Sequence, residues 1–146
     1  EQRAILQHSL IRSHAASTGA EVEREVIRAM MLLRLKTMAS GHTGVRREVV
    51  LGYAAMLNAG ITPITGEYGS LGCSGDLAPL AHAALALTGE GIVRDKAGTQ
   101  MPAAEALAAA GLEPITLREK EGLALINGTD GMLGQLILAL TDLDTW

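Results

Sequence analysis

A single cysteine stands in the 146-residue chain, phenylalanine is absent, and one tryptophan and two tyrosines make up its whole aromatic content. One thiol cannot close an intrachain disulfide, so the fold has to hold without that staple. With so few rings, and with alanine and leucine dominating a hydrophobic content of 48%, the core must be built from small aliphatic side chains packed closely between helices. Neither sign of charge forms a block: 12 basic and 16 acidic residues are interleaved, for a formal net charge of -4. Such a distribution offers no footprint for nucleic acid or for an anionic membrane surface. No basic start followed by an apolar run and a small-residue cleavage site is present. The most apolar stretch, Leu123 to Leu140, is interrupted by Asn127, Thr129, Asp130 and Gln135, short of the unbroken run of about 20 residues that a membrane span requires. The expectation is a cytoplasmic, all-α chain with no nucleic-acid or membrane partner, whose 123–140 stretch is buried in protein.

Length implies one region, residues 1–146, rather than several domains. The chain opens on EQRAILQHSLI without a methionine and closes on LTDLDTW within a helical pattern, which suggests an internal fragment of something longer. Residues 2–16 read as a helix broken by Ser17-Thr18-Gly19. From Glu21 to Ala39, Val22, Val26, Ile27, Met30, Leu33 and Met38 line one side, while Glu23, Arg24, Arg28 and Arg34 are assigned to the other, as an amphipathic helix requires. A third helix from Val45 stops at Asn58-Ala59-Gly60, and 61–73 reads as a loop. Asp76 is then placed as the N-cap of a helix over Leu77 to Thr88, with Pro79 tolerated in its first turn. Ile92-Val93-Arg94 and Thr99-Gln100-Met101 predict a small β-hairpin, and Pro102 the start of a short helix ending at Gly111. Residues 112–128 read as extended or loop. Thr129 or Asp130 is the expected cap of a last helix, in which Gly131 and Gly134 leave a face for close helix approach.

The chemistry concentrates in GSLGCSGDLAPLAH, where three glycines and the lone cysteine fall between Gly69 and Gly75. The glycine spacing, with no lysine after it, fits neither phosphate-cradling pattern. A serine nucleophile elbow fails by one residue, because Asp76 stands where the second glycine is needed. A Cys73 nucleophile with His82 as base is conceivable, although a lone cysteine is more often an inert buried residue. Metal binding by His8, His14, His42, His82 and Cys73 has no His-x3-His or Cys-x2-Cys pair behind it, so no metal site is assigned. The remaining reading uses the backbone: in Cys73-Ser74-Gly75 the glycine nitrogen can bend back onto the carbonyl carbon two residues earlier, because glycine tolerates so tight a turn. Loss of two waters would leave Ser74 as an exocyclic methylene on a five-membered ring. The Cys73 side chain would be a spectator.

The run GSLGCSGDLAPLAHAALALTGEG resembles the prosthetic-group loop of the aromatic amino acid ammonia-lyase family, in which an Ala/Cys-Ser-Gly triplet before Asp-Leu-Ala-Pro-Leu cyclises to 4-methylideneimidazole-5-one. KEGLALINGTDGML at 120–133 is similar to a second family segment, and LQHSLIRSHAASTG with the Arg34-to-Gly44 stretch to the helix pair before the loop. The resemblance covers essentially the whole chain, in order. It implies an all-α helical bundle fragment with a glycine-rich prosthetic-group loop, and an autocatalytic cofactor made from Cys73-Ser74-Gly75.

Ser13-His14 points to the histidine branch, with elimination of ammonia from L-histidine to give urocanate. On that resemblance His14 would contact the substrate imidazole, where local pattern alone gives a helix-end histidine with a structural hydrogen bond. Asn127, locally a turn residue, would lie against the prosthetic group and help hold substrate. Asp76 would position the loop for cyclisation as well as cap its helix. His8, His42 and His82 are left as structural. The family's catalytic tyrosine and its carboxylate-binding residues have no match here, and Tyr53 and Tyr68 do not correspond to them. The resemblance also implies a homotetramer whose neighbouring subunits complete each active site, so that the fragment alone would be inactive. A tyrosine lyase or aminomutase on the same group, or a non-catalytic packing fragment with an open loop, are the alternatives.

Overall fold

The computed structural model describes residues 2–72 and 75–146. Its helices are α1 (Gln2–His14), α2 (Arg24–Ala39), α3 (Arg47–Asn58), α4 (Leu77–Leu87), α5 (Ala103–Ala109), α6 (Glu121–Ile126) and α7 (Asp130–Thr145). Five short strands complete it: β1 (Thr18–Glu21), β2 (Thr62–Pro63), β3 (Gly66–Tyr68), β4 (Ile92–Arg94) and β5 (Gln100–Pro102). The mostly helical class expected from composition is the observed one, and the 92–101 hairpin forms as β4 and β5, with Val93 opposite Met101.

Helix α4 is the centre. Its sequence, LAPLAHAALAL, carries small side chains on nearly every face, so neighbours approach it closely on all sides, and α1, α2, α3, α5, α6 and α7 all pack against it. Around it Ile11, Met30, Met31, Met38, Met56, Leu107, Leu117 and Leu125 fill the core. Flexible methionines and small aliphatics occupy the space that aromatic rings take in other cores. Tyr53 is the one ring fully enclosed there among the described residues.

Four expectations require correction. The 61–73 segment is not wholly loop: β2 adds to β4, and β3 pairs with β1 across a register shift, two-residue and three-residue pairings too short to leave an alternating pattern. The 112–128 segment contains α6, a helix of six residues, below the length at which periodicity is readable. Arg34 does not lie on the outer side of α2; it is 3% exposed.

The fourth correction concerns the 123–140 stretch, which is buried only at Leu125, Ile126, Asp130 and Gly134. Leu133, Leu136, Ile137 and Leu140 are each between 43% and 51% exposed, and Leu123 is 42% exposed. By length and composition Glu121–Thr145 would suffice to cross a membrane. The chain nevertheless breaks at 127–129 into α6 and α7, and Asp130 at the break is paired and buried. The close approach expected at Gly134 is present, against α2: a Cβ there would meet the Val26 carbonyl oxygen at 2.9 Å and the Met30 nitrogen at 3.1 Å.

Candidate active site

Three mutually packed helices, α1, α4 and α6, bring their ends to the glycine-rich loop. Cys73 and Ser74 lie outside the described residues; Gly75 and Asp76, which follow them, are both buried. Asp76 occupies the N-cap position of α4, but its side chain makes no capping bond to that helix. Its carboxylate reaches away instead. The Met132 amide, in the first turn of α7, donates to Oδ2 at 2.9 Å, and the Ser70 hydroxyl donates to Oδ1. The expectation that Asp76 caps its own helix is therefore wrong. It satisfies a free amide of another helix, where the positive end of the dipole favours a carboxylate. Because the second residue of α7 is Gly131, the aspartate can enter: a Cβ on Gly131 would meet Asp76 Cγ at 2.9 Å.

The Asp76 amide donates to the Gly128 carbonyl at 2.6 Å. This bond ties the end of the glycine-rich loop to the residue after Asn127. Contact continues one residue earlier. Gly75 has φ +134°, and a Cβ built on it would stand 2.9 Å from the same oxygen, so a side chain is excluded there twice over, by conformation and by space. Asn127 itself is exposed at the C-terminal end of α6 and lines a shallow hollow with Thr43, Lys120, Leu123 and Ala124.

His14 sits half-buried in the last turn of α1. Its Nδ1 is 2.8 Å from the Leu10 carbonyl and 3.0 Å from the Ser13 hydroxyl. A carbonyl only accepts, so this bond puts the proton on Nδ1 and leaves Nε2 as an acceptor. Nothing in the described geometry puts His14 in contact with Asp76 or Asn127. Three residues on, the Ser17 hydroxyl lies 2.8 Å from His82 Nε2 and accepts the Gly66 amide at 2.9 Å. Burial holds the His82 imidazole below its ordinary value. Ser17 also runs beneath the loop, where a Cβ on Gly69 would meet its Cα at 3.0 Å. His82 thus has a structural partner, in keeping with its assignment as structural.

Sequence reasoning missed two residues beside this junction, Arg34 and Asp130, which form a buried ion pair. Asp130 was offered as a helix cap, and α7 has no side-chain cap bond. The signal for Arg34 was available. Ile27, Met31, Arg34 and Met38 follow one another at steps of four, three and four residues, the spacing of a single buried helix face. Among the described residues, no group of three or more His, Cys, Asp or Glu side chains is arranged to hold a metal ion.

Comparison with known proteins gives these observations a context. A histidine ammonia-lyase of Streptomyces griseus is 66% identical over 143 residues, covering 98% of this chain and 28% of that protein. The crystal structure of a histidine ammonia-lyase from Trypanosoma cruzi superposes with a TM-score of 0.85 at 42% identity, over 91% of this chain and 26% of that one. A phenylalanine aminomutase from Pantoea agglomerans superposes with a TM-score of 0.92 at 38% identity, over 98% and 27%. The chain thus spans little more than a quarter of the length of these relatives. The profile of the family described as aromatic amino acid lyase matches residues 1–146, end to end, and the chain belongs to that family.

Proposed function

We propose that this chain is the prosthetic-group segment of a histidine ammonia-lyase, which removes ammonia from L-histidine to give urocanate. The observation that carries the reading is the Asp76 junction. The residue directly after Cys73-Ser74-Gly75 is buried and hydrogen-bonded through its amide to Gly128 and through its carboxylate to Ser70 and α7. A tripeptide whose C-terminal end is gripped this tightly, and whose last residue admits no side chain, suits 4-methylideneimidazole-5-one. The choice of histidine as substrate is supported by the similarity to the Streptomyces griseus histidine ammonia-lyase.

Ring formation balances without any oxidant. The Gly75 N–H adds across the Cys73 carbonyl. The hydroxyl so formed leaves with the Ser74 amide proton as a first water, and the Ser74 hydroxyl leaves with its Cα proton as a second. When formed, the group supplies an electrophile that draws electron density from the substrate, which an amine needs in order to leave. The chain's own residues bind and orient. Asp76 holds the loop against α7. His14, its tautomer set by Leu10, offers Nε2 to the imidazole N–H of the substrate. Asn127, exposed at the end of α6, offers its amide beside Gly128. The enzyme is a cytoplasmic homotetramer in this reading, and the base that removes the β-proton comes from outside these 146 residues.

The test is the intact mass of the full-length enzyme together with its turnover of histidine, tyrosine and phenylalanine. We expect the wild type to be lighter than its encoded mass by two waters and to prefer histidine. Ser74→Ala should keep the encoded mass and lose activity by several orders of magnitude, since removing an electrophile abolishes a route rather than weakening it. An active enzyme of unreduced mass would overturn the reading; preference for tyrosine would transfer it to a sibling activity.

A further inference from the structure

The mechanism above leaves the buried Arg34–Asp130 pair without a task. Taking two charges out of water is costly, and the cost is recovered only where geometry is good and the remaining donors are filled. Here they are. Arg34 Nε donates to Asp130 Oδ2 at 2.9 Å, Nη2 donates to the same oxygen, and Nη1 donates to the Ala124 carbonyl at 3.1 Å. One guanidinium on α2 thereby holds the last turn of α6 and the first residue of α7, the two segments that flank Asn127-Gly128-Thr129. It also presses on the residue between them: a Cβ at Gly128 would overlap both Arg34 Nη2 and Asp130 Oδ2. The other side of Gly128 carries the carbonyl that accepts the Asp76 amide and faces Gly75. Guanidinium, Gly128 backbone and Gly75 are therefore in successive contact. Tyr53, hydroxyl included, is fully buried in the same core. Burial drives its ionisation well above the ordinary range, and the charges of Arg34 and Asp130 both act on it.

We infer that the Arg34–Asp130 pair is a positioning device for ring closure: it fixes Gly128, whose carbonyl accepts the Asp76 amide and so anchors the Gly75–Asp76 end of the tripeptide for condensation. The inference rests on the reading of residues 73–75 as the ring-forming tripeptide. An intramolecular closure depends steeply on placement of the two reacting atoms, so loosening Gly128 slows the chemistry without unfolding the protein.

The experiment uses the full-length enzyme and reads the two-water mass deficit in soluble protein at successive times after synthesis. In Arg34→Met/Asp130→Leu the pair is replaced by apolar side chains of similar volume, an exchange that folded proteins commonly tolerate. We expect a melting temperature close to wild type and a deficit that develops on the order of tenfold or more slowly, in line with the sensitivity of such closures to misplacement. Leu107→Ala, which truncates a buried side chain of α5 and touches neither α6 nor the ion pair, should lower the melting temperature and still acquire the deficit at the wild-type rate. Should the double variant be insoluble, Arg34→Lys takes its place: it keeps the charge and loses the fork that joins Asp130 to Ala124, and it too should mature slowly. A soluble double variant, or Arg34→Lys, maturing as fast as wild type would overturn the inference alone, as would equal slowing in Leu107→Ala. A wild type that never shows the deficit would overturn the tripeptide reading and this inference with it.

Discussion

Helix α4 buries eight of its eleven residues, whereas α7, longer and also rich in leucine, buries only Asp130 and Gly134. Their leucine content does not explain this. In α4 the alanines let six helices come close, so Leu80 and Leu87 are enclosed and Leu77 and Leu85 are partly covered. In α7 the contacts run mainly to α2 and are made by a backbone notch at Gly134 and by the ion pair at Asp130. The apolar side chains of α7 point elsewhere. Burial is thus a property of a helix's neighbours, and a helix can be fixed firmly in place by one small residue and one charge while its hydrophobic face stays in contact with water.

The largest expected effect tests the α4 half of this contrast. Leu80 is fully enclosed, and Leu80→Ala removes atoms from a site with little room to collapse. In urea unfolding of the 146-residue chain it should cost about 2–5 kcal/mol, the range for buried leucine truncations. A loss below ~1 kcal/mol would mean that α4 is loosely held and that the contrast with α7 is one of exposure only.

A second effect, intermediate in size, concerns a shorter helix that is likewise held by a charge. The six-residue α6 starts at Glu121, whose carboxylate accepts hydrogen bonds from Arg46 Nε at 2.8 Å, Arg46 Nη2 at 2.9 Å, the Arg46 amide at 3.1 Å and the Arg118 amide at 2.6 Å. Burial pushes this carboxyl up, and the bonds from Arg46 and Arg118 outweigh it, so that it titrates below its ordinary value of 4.5. A carboxylate depressed in the fold contributes stability that is complete above that ordinary value and is lost as pH falls through the depressed one. Glu121→Gln should cost about 1–3 kcal/mol at neutral pH, as expected for hydrogen bonds to a charged group. It should also flatten the loss of stability below pH 4.5. An unchanged acid limb in the variant would assign that limb to the other depressed carboxylates, Glu21 beside Arg94, Glu90 beside Arg12 and Glu119 beside Arg3.

The helices that carry strong periodicity or clear stops, α2, α3 and α4, were legible in the residues, as was the hairpin of β4 and β5. What escaped was short or depended on a distant partner. Strand β3 exists because β1 lies beside it, and α6 because Arg46 holds its first residue. At the site, the order Cys73-Ser74-Gly75-Asp76 was readable as chemistry, but the direction of the Asp76 side chain was not. The N-cap rule supplies a local acceptor, and here an amide of α7, more than fifty residues away, competes for it. Arg34 was misplaced for a related reason: a charge is assigned to water by default, and only the presence of Asp130 makes its burial tolerable.

The smallest expected effect tests the α7 half. Leu136 is 51% exposed in a helix that, like α4, is rich in leucine, and Leu136→Ala should change the unfolding free energy of the dilute 146-residue chain by less than ~0.5 kcal/mol, as for surface positions generally. The comparison with Leu80→Ala, the same chemical change in a similar helix, then isolates the contribution of neighbours. Exposed apolar side chains in a row also favour association, so the measurement belongs at two protein concentrations. A cost for Leu136→Ala that is negligible when dilute and grows with concentration would identify a second copy of the chain as the cover of this face, because binding that favours the folded state adds to stability by mass action. A cost as large as that of Leu80→Ala even at high dilution would mean that the face is already covered from within the same chain, and the distinction between the two helices would fall.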